Sequence, residues 1–164
     1  MDIPFSKRWA DDTARPWLPV TITNPRTRKK IKTFALIDTG ADECALPAVY
    51  APSLGYDLQH GIPKSIDTGN GATCAYSHKV QIQAQGLEPR NTLIDFMPNL
   101  QVPLLGTKNF LSEFVLTIDY PQSKFSLQRQ YVFPSIVRQL GDTDSILADA
   151  FPLFLEKNAA HPRK

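Results

Sequence analysis

The residue whose chemistry stands out is Asp38, which directly follows the apolar run of residues 35–37 and opens an Asp-Thr-Gly triplet. A continuous apolar run is typical of a strand buried on both faces, so the pattern places Asp38 where a buried strand enters a turn. An ionised carboxylate is costly to bury unless it is paired, hydrogen-bonded or protonated, and two carboxylates brought together can share one proton. Such a pair can activate water and protonate an amide leaving group.

A second Asp-Thr-Gly triplet begins at Asp67. It follows the mixed segment of residues 64–66 and leads into the Gly-Asn-Gly sequence of residues 69–71, whose glycines permit the positive φ of a tight hairpin turn. We therefore favour Asp38 as the reacting carboxylate and place Asp67 near an exposed hairpin tip. The alternative interpretation of Asp38 is a turn residue that caps backbone amides.

Three stretches, in this order, resemble the retroviral-type (retropepsin-like) aspartic proteases, the homodimeric relatives of pepsin. They are residues 35–43 (ALIDTGADE), the hairpin around residues 69–71, and residues 103–106 (PLLG), which precede an expected short helix at residues 108–114. The resemblance covers about residues 17–127. It implies an all-β, closed-barrel-like acid protease protomer with a flap hairpin and one short helix, followed by a partly helical C-terminal extension.

The resemblance also implies a role for each matched position. Asp38 would be the catalytic aspartate, facing its copy from a second chain with a water molecule between them. Thr39 would hydrogen-bond to the partner's loop, and Gly40 would let backbone and substrate approach closely. The substrate-binding positions would be Ala41 and Asp42 in the cleft and, at the tip of a flap that closes over bound peptide, Gly69, Asn70 and Gly71. This mechanism requires neither a metal nor an organic cofactor.

The length of 164 residues suits one domain, because domains usually take about 100–200 residues. A single-chain enzyme with two lobes needs roughly twice this length, whereas a homodimer builds one two-fold symmetric site from two copies of Asp38. We therefore expect an aspartic endopeptidase that acts as an obligate homodimer on extended polypeptides, with neither nucleic acid nor membrane as a partner. The alternative is a catalytically inactive protease-like dimer that binds peptides or a partner domain through the same cleft.

The chain departs from the family pattern in two places. Many relatives have an arginine directly after the apolar-apolar-Gly stretch, where it braces the acidic residue of the active-site loop, but here Thr107 stands there and Lys108 follows. The chain also continues for 37 residues past Leu127. This extension could supply the family's interface strand through residues 131–133, cover the cleft, or be cut away.

Composition narrows the class of protein further. The 18 Lys and Arg against 16 Asp and Glu give a net charge of +2, too small for a nucleic-acid footprint over the whole molecule. The basic residues 25–30 lack interleaved aromatics and are typical of a solvated hairpin tip. Cys44 and Cys74 form no CxxC pair, and nothing in their spacing from His60 and His78 demands a metal. A cytoplasmic location is expected, because neither a signal peptide nor a membrane-spanning run occurs.

The strand pattern divides the chain into a leader (residues 1–16), a protease-like domain (17–127) and an extension (128–164). In residues 17–23, apolar and other residues alternate at the two-residue period of a half-buried strand. Further short runs of β-branched and apolar residues, each closed by Pro, Gly, Asn or Asp, predict strands. These strands cover residues 31–37, 64–66, 73–85, 92–96, 102–105, 115–118 and 124–127.

Overall fold

The computed structural model describes residues 2–69 and 71–129. The strands are β1 (Asp2–Pro4), β2 (Trp17–Thr23), β3 (Lys30–Ile37), β4 (Ala45–Pro47), β5 (Ile62–Thr68), β6 (Gly71–Ala84), β7 (Arg90–Met97), β8 (Leu104–Leu105), β9 (Phe114–Asp119) and β10 (Lys124–Arg129). The helix α1 is Tyr50–Leu54, and 3-10 turns occupy Leu58–His60 and Leu111–Glu113. The predicted all-β class is confirmed. Within this part of the chain, no helix has the length and apolar character needed to cross a membrane.

Six strands close into a barrel in the order β2, β3, β8, β4, β7 and β6, and β6 returns to pair with β2. The β3–β8 and β4–β7 pairs are parallel, and the other pairs are antiparallel. Closure removes the free edges that an open sheet would present. The expected closed barrel is therefore present. One hydrophobic core, to which the barrel strands, α1 and β10 contribute, contains the largest fully buried apolar side chains of the described residues: Phe96, Phe110, Phe125, Leu18, Ile22, Leu46, Leu54, Ile82, Ile94, Leu105 and Val80.

The β2–β3 hairpin forms because alternate residues of β2 are apolar and point into the barrel. Leu18, Val20 and Ile22 are each at most 3% exposed. At the turn, the Asn24 side chain accepts hydrogen bonds from the backbone N–H groups of residues 26 and 27, and its Nδ2 donates to Leu54 O (3.0 Å). The turn is thereby anchored to α1, and its basic residues are exposed as expected.

The β5–β6 hairpin continues the barrel sheet outward. Its strands pair from Ile62 with Ser77 to Thr68 with Gly71. Gly71 has φ 103°, a value that L side chains rarely adopt, and this explains why glycine begins β6. Residues 76–84 of β6 pair with β7 and β2 in the barrel, whereas β5 pairs only with β6 among the described strands. The hairpin therefore projects from the barrel as one unit.

A separate three-stranded sheet has the order β1, β10, β9. Residues 2–4, which belong to the expected leader, form β1 and pair with β10, and Asp2 forms an ion pair with Lys124 (2.9 Å). Residues 128 and 129 complete β10. The remainder of the expected extension, including residues 131–133, lies outside the described residues.

The short helices differ in position from the expectation. The segment of residues 108–114 contains only the 3-10 turn at Leu111–Glu113, whereas the short α-helix is α1. Helix α1 is capped by Gly55, whose φ of 76° lets its backbone N–H bond back to the last turn. Pro52 within a five-residue segment masks this helix in the sequence, because proline interrupts helical hydrogen bonding.

A close backbone approach joins β8 to the segment after β3. Leu105 pairs with Ile37, and the next residue, Gly106, passes beneath Glu43. A Cβ atom at Gly106 would lie 2.4 Å from the Glu43 carbonyl oxygen, and this backbone oxygen cannot move aside as a flexible side chain would. Only glycine fits here, which gives a physical reason for the glycine of the apolar-apolar-Gly stretch.

We predict that Gly106→Ala lowers the free energy of unfolding by about 1–3 kcal/mol, because the methyl group must displace the backbone of residue 43. Urea denaturation followed by tryptophan fluorescence measures this change. Gly69→Ala is the matched control, since a Cβ there meets nothing within 4 Å, and we expect its effect to stay within about 1 kcal/mol. Equal unfolding midpoints for the two variants would contradict the steric account.

Candidate functional site

Asp38 follows the last residue of β3, and its side chain is half-buried. Its backbone N–H donates to Leu105 O (3.1 Å), and its Oδ1 accepts a hydrogen bond from the Gly40 N–H (3.0 Å). These contacts fix the carboxyl group where β3 leaves the barrel. No Lys, Arg or His of residues 2–69 and 71–129 forms an ion pair with Asp38. Contacts within the described chain therefore leave its negative charge without a cationic partner.

The segment of residues 38–43, which we call the Asp38 loop, is held by the residues that follow Gly106. The Thr107 N–H donates to Ala41 O (2.9 Å), and the Lys108 N–H donates to Asp42 O (2.7 Å). The Thr107 hydroxyl lies 3.3 Å from Ala41 O and 3.2 Å from Asp42 O. The loop is thus supported by main-chain hydrogen bonds that do not depend on an arginine at position 107.

Lys108 also provides an ionic contact to the Asp38 loop. Its Nζ lies 3.0 Å from Asp42 Oδ2. Both side chains are largely exposed, so the ion pair contributes at most about 1 kcal/mol. Many relatives have an arginine at the position of Thr107, which braces the acidic residue of the active-site loop. In this chain Lys108, one residue later, makes a contact of that kind to Asp42.

A cavity of about 700 Å³ is formed by the Asp38 loop, the β5–β6 hairpin and residues of β7 and β8. Its volume is in the range of ligand pockets. The residues that line it are Asp38, Gly40, Ala41, Asp42, Glu43, Ala45, Lys64, Ser65, Ile66, Asp67, Thr68, Gly69, Asp95, Met97, Leu104 and Lys108. We call this cavity the cleft.

Most of the site residues expected from the sequence meet in the cleft. Asp38, Gly40, Ala41 and Asp42 lie on its loop side, and Gly69 lies on its hairpin side. Thr39 is exposed and does not line the cleft, and Gly71 is exposed at the start of β6. Asn70 lies outside the described residues.

Asp67 occupies a different environment from Asp38. It is exposed, pairs across the hairpin with Ala72 and lies one residue before Thr68, whose hydroxyl donates to Gly71 O (2.7 Å). Asp67 therefore belongs to the turn end of the hairpin, whereas Asp38 is fixed to the barrel. Both residues line the same cleft.

A larger groove of about 880 Å³ is lined by parts of β2 and β3, the end of β6 and residues 6–8. Its lining contains Lys7, Arg8 and Lys32 but neither Asp nor Glu. Chemistry that depends on paired carboxylates cannot take place there, so the smaller cleft is the candidate site.

A partly buried ionic cluster borders the cleft. Lys64 on β5 places its Nζ 2.7 Å from Glu43 Oε2 and 2.8 Å from Asp95 Oδ2. The Asp95 side chain on β7 is almost fully buried, and its Oδ1 accepts a hydrogen bond from the Ser77 hydroxyl on β6 (2.5 Å). Burial disfavours the charged ammonium of Lys64, but the hydrogen bonds and charges of Asp95 and Glu43 outweigh this effect and raise the pKa of Lys64. Lys64 therefore remains protonated at neutral pH.

Lys64, Ser77 and Asp95 are not among the site residues expected from the sequence. One signal was present: Asp95 interrupts the apolar run Leu93-Ile94-Asp95-Phe96-Met97, and a carboxylate in such a run needs a partner. The sequence could not indicate which cation serves, because Lys64 lies on a different strand.

The cysteines and histidines do not converge on a site. Burial raises the pKa of the Cys44 thiol to about 12, so this thiol stays protonated at neutral pH. His78 is buried, and its Nε2 lies 3.1 Å from Leu58 O. His60 is exposed and lies near Asp57 (3.5 Å). Within residues 2–69 and 71–129, no group of three or more His, Cys, Asp or Glu side chains could hold a metal ion.

The comparison with known proteins finds similarity among solved structures. No protein-family model and no curated protein sequence matches this chain. Among solved structures, it is similar to a retropepsin-like aspartic protease from Rickettsia conorii, with a TM-score of 0.54 and 24% sequence identity. The similarity covers 77% of this chain and 90% of that one. The chain therefore has the retropepsin-like fold.

Proposed function

We propose that this chain is the protomer of an aspartic endopeptidase. The observation that carries the proposal is the position of Asp38 in a chain of retropepsin-like fold. Its carboxyl group is fixed at the end of a barrel strand, lines a cleft beneath a projecting hairpin and forms no ion pair within the described residues. A carboxyl group in this setting is available for proton exchange with water.

The charge distribution in the cleft supports a site assembled from two chains. Five carboxylates line the cleft of one chain: Asp38, Asp42, Glu43, Asp67 and Asp95. Asp42 is paired with Lys108, and Glu43 and Asp95 share Lys64. Asp67 lies on the hairpin. Because none of these is a free carboxylate on the same side of the cleft as Asp38, we assign the second member of the dyad to the Asp38 of another copy.

The proposed reaction follows from two carboxyl groups that hold one proton between them. The ionised carboxylate removes a proton from water as the water oxygen attacks the scissile carbonyl carbon. The protonated carboxyl group donates a hydrogen bond to the developing oxyanion. When the C–N bond breaks, the amine nitrogen takes a proton from the dyad. The products are a carboxylic acid and an amine, and the two carboxyl groups again share one proton.

The substrate would be an extended polypeptide segment, because the cleft lies between a loop and a β-hairpin that can both offer main-chain hydrogen bonds. Ala41 and Asp42 would contact it from the loop side, and Gly69 and Gly71, with Asn70, from the hairpin side. In this proposal the β5–β6 hairpin is the flap, and its closure limits the access of water to the reacting bond.

The first prediction concerns the choice between the two Asp-Thr-Gly triplets. Purified wild type, Asp38→Asn and Asp67→Asn are incubated with a diverse peptide mixture from acid to neutral pH, and mass spectrometry identifies the cut sites. Asparagine keeps the shape of aspartate but cannot exchange the proton. We expect Asp38→Asn to lose about 10²–10⁴-fold or more in kcat/KM. Asp67→Asn should keep activity within about tenfold of wild type, because Asp67 takes no part in the reaction and can affect only substrate binding.

Two outcomes would contradict this proposal. Equal cleavage by all three proteins would point to a contaminant or to a different active site. Absence of cleavage by well-folded wild type under all conditions would favour the inactive peptide-binding dimer.

The second prediction concerns the shared site. Wild type is allowed to exchange subunits with a ninefold excess of Asp38→Asn, at a total concentration where the dimer is saturated. Random pairing leaves about one tenth of the wild-type chains in wild-type dimers, so activity per wild-type chain should fall about tenfold. The control is the same excess of Asp67→Asn, which should leave activity per wild-type chain undiminished. Unchanged activity with excess Asp38→Asn would mean that each chain carries a complete site.

A further inference from the structure

The carboxylate of Asp95 connects both arms of the β5–β6 hairpin to the barrel. The Asp95 side chain is 2% exposed, and its two oxygens have different partners. Oδ1 accepts a hydrogen bond from Ser77 on β6 (2.5 Å), and Oδ2 accepts one from Lys64 on β5 (2.8 Å). One group on β7 therefore holds the two hairpin strands near the level where they leave the barrel.

Lys64 extends this connection to the Asp38 loop. Besides Asp95, its Nζ contacts Glu43 Oε2 (2.7 Å), and Glu43 lies five residues after Asp38. The Asp95 backbone N–H also donates to Cys44 O (3.1 Å), directly after Glu43. The hairpin and the loop are thus joined through one ammonium group, at the edge of the cleft.

Among the described residues, few other side chains attach strand β5 to the barrel. Along β5, only Lys64 and Ile66 are partly buried, and the other five residues are exposed. Ile66 packs against a small apolar cluster of Ala45, Ala75 and Met97. Apart from its backbone ladder with β6, β5 is therefore attached over the cleft by one apolar side chain, Ile66, and by the ion pairs of Lys64.

An ion pair differs from an apolar contact in a way that matters here. Apolar packing tolerates sliding, whereas a buried carboxylate holds its partner at hydrogen-bond distance, and loss of that partner leaves an uncompensated buried charge. We propose that Glu43, Lys64, Ser77 and Asp95 form a hairpin clip, a set of positioning residues that fixes the β5–β6 hairpin over the Asp38 loop and so controls the entry of peptide into the cleft. The consequence for peptide rests on the proposed function, whereas the mechanical role does not.

The direct test is amide hydrogen exchange of the hairpin, measured by mass spectrometry on the full-length chain. In Lys64→Met we expect exchange of residues 65–75 to accelerate by about tenfold, since opening of the hairpin no longer breaks the ion pair. Lys64→Arg, which can still bridge two carboxylates, should restore most of the protection. The matched control is Lys79→Met: Lys79 is an exposed lysine on β6 outside the clip, and exchange should stay within about twofold of wild type.

A second variant keeps the proposal testable if Lys64→Met fails to fold. Glu43→Gln leaves the Lys64–Asp95 pair intact and weakens only the contact to the Asp38 loop. Here we expect a smaller acceleration, of about threefold, confined to the same residues. Hairpin exchange equal to that of Lys79→Met, or acceleration of equal size throughout the barrel, would overturn the proposal, because the cluster would then serve general stability alone.

Kinetics separate the failure of this inference from the failure of the proposed function. If the chain cleaves peptides, Lys64→Met should raise KM by about tenfold with kcat changed by less than about threefold, because hairpin closure contributes to peptide binding. An unchanged KM in an active enzyme would contradict the clip's role in peptide entry. Faster hairpin exchange in a chain without peptidase activity would support the clip and reject the endopeptidase.

Discussion

The close approach of Gly106 to the backbone of Glu43 is the contact on which the architecture of the cleft depends. It lets the two-residue strand β8 fit between β3 and β4, and it brings Leu105 O to the backbone N–H of Asp38. The residues after Gly106 then bond to the Asp38 loop. A side chain at position 106 would push the backbone of Glu43 away from β8, and the carboxyl group of Asp38 would lose its fixed position.

The second organising feature is the distribution of charge around the cleft. Two lysines form ion pairs with three of the five cleft carboxylates of the described chain. Among residues 2–69 and 71–129, no cation pairs with Asp38, although a half-buried carboxylate is stabilised by such a partner. In the proposed dimer a second Asp38 supplies a partner, because the two carboxyl groups can share one proton. Lys64 and Lys108 reduce the repulsion between this pair and the neighbouring carboxylates.

Local patterns in the sequence were sufficient for the hairpins and for the segment around Asp38. The strand at residues 17–23 and the turn at residues 69–71 are each predicted from residues within a few positions of one another. The observed β2 and the β5–β6 hairpin lie where these patterns predict them. The placement of Asp38 after an apolar strand is likewise a local property. The resemblance to retropepsin-like proteases added the closed barrel, and the structural comparison supports the fold.

The features that the sequence did not reveal depend on distant partners or on very short elements. Strand β1 has three residues and ends in Pro4, so no periodicity marks it, and it forms through pairing with β10. The Lys64–Asp95 ion pair joins residues 31 positions apart. The expected helix at residues 108–114 is reduced to one 3-10 turn, because Phe110, with φ −142°, has a non-helical backbone and interrupts the segment.

If two copies of Asp38 form one site, a transition-state mimic should bind with a stoichiometry of one molecule to two chains. A peptide whose scissile amide is replaced by a non-cleavable hydroxyl-bearing unit resembles the tetrahedral intermediate and should bind more tightly than substrate. Isothermal titration calorimetry should give one peptide for every two chains, with binding weakened at least about a hundredfold in Asp38→Asn. One peptide per chain, or equal affinity for Asp38→Asn, would contradict the account.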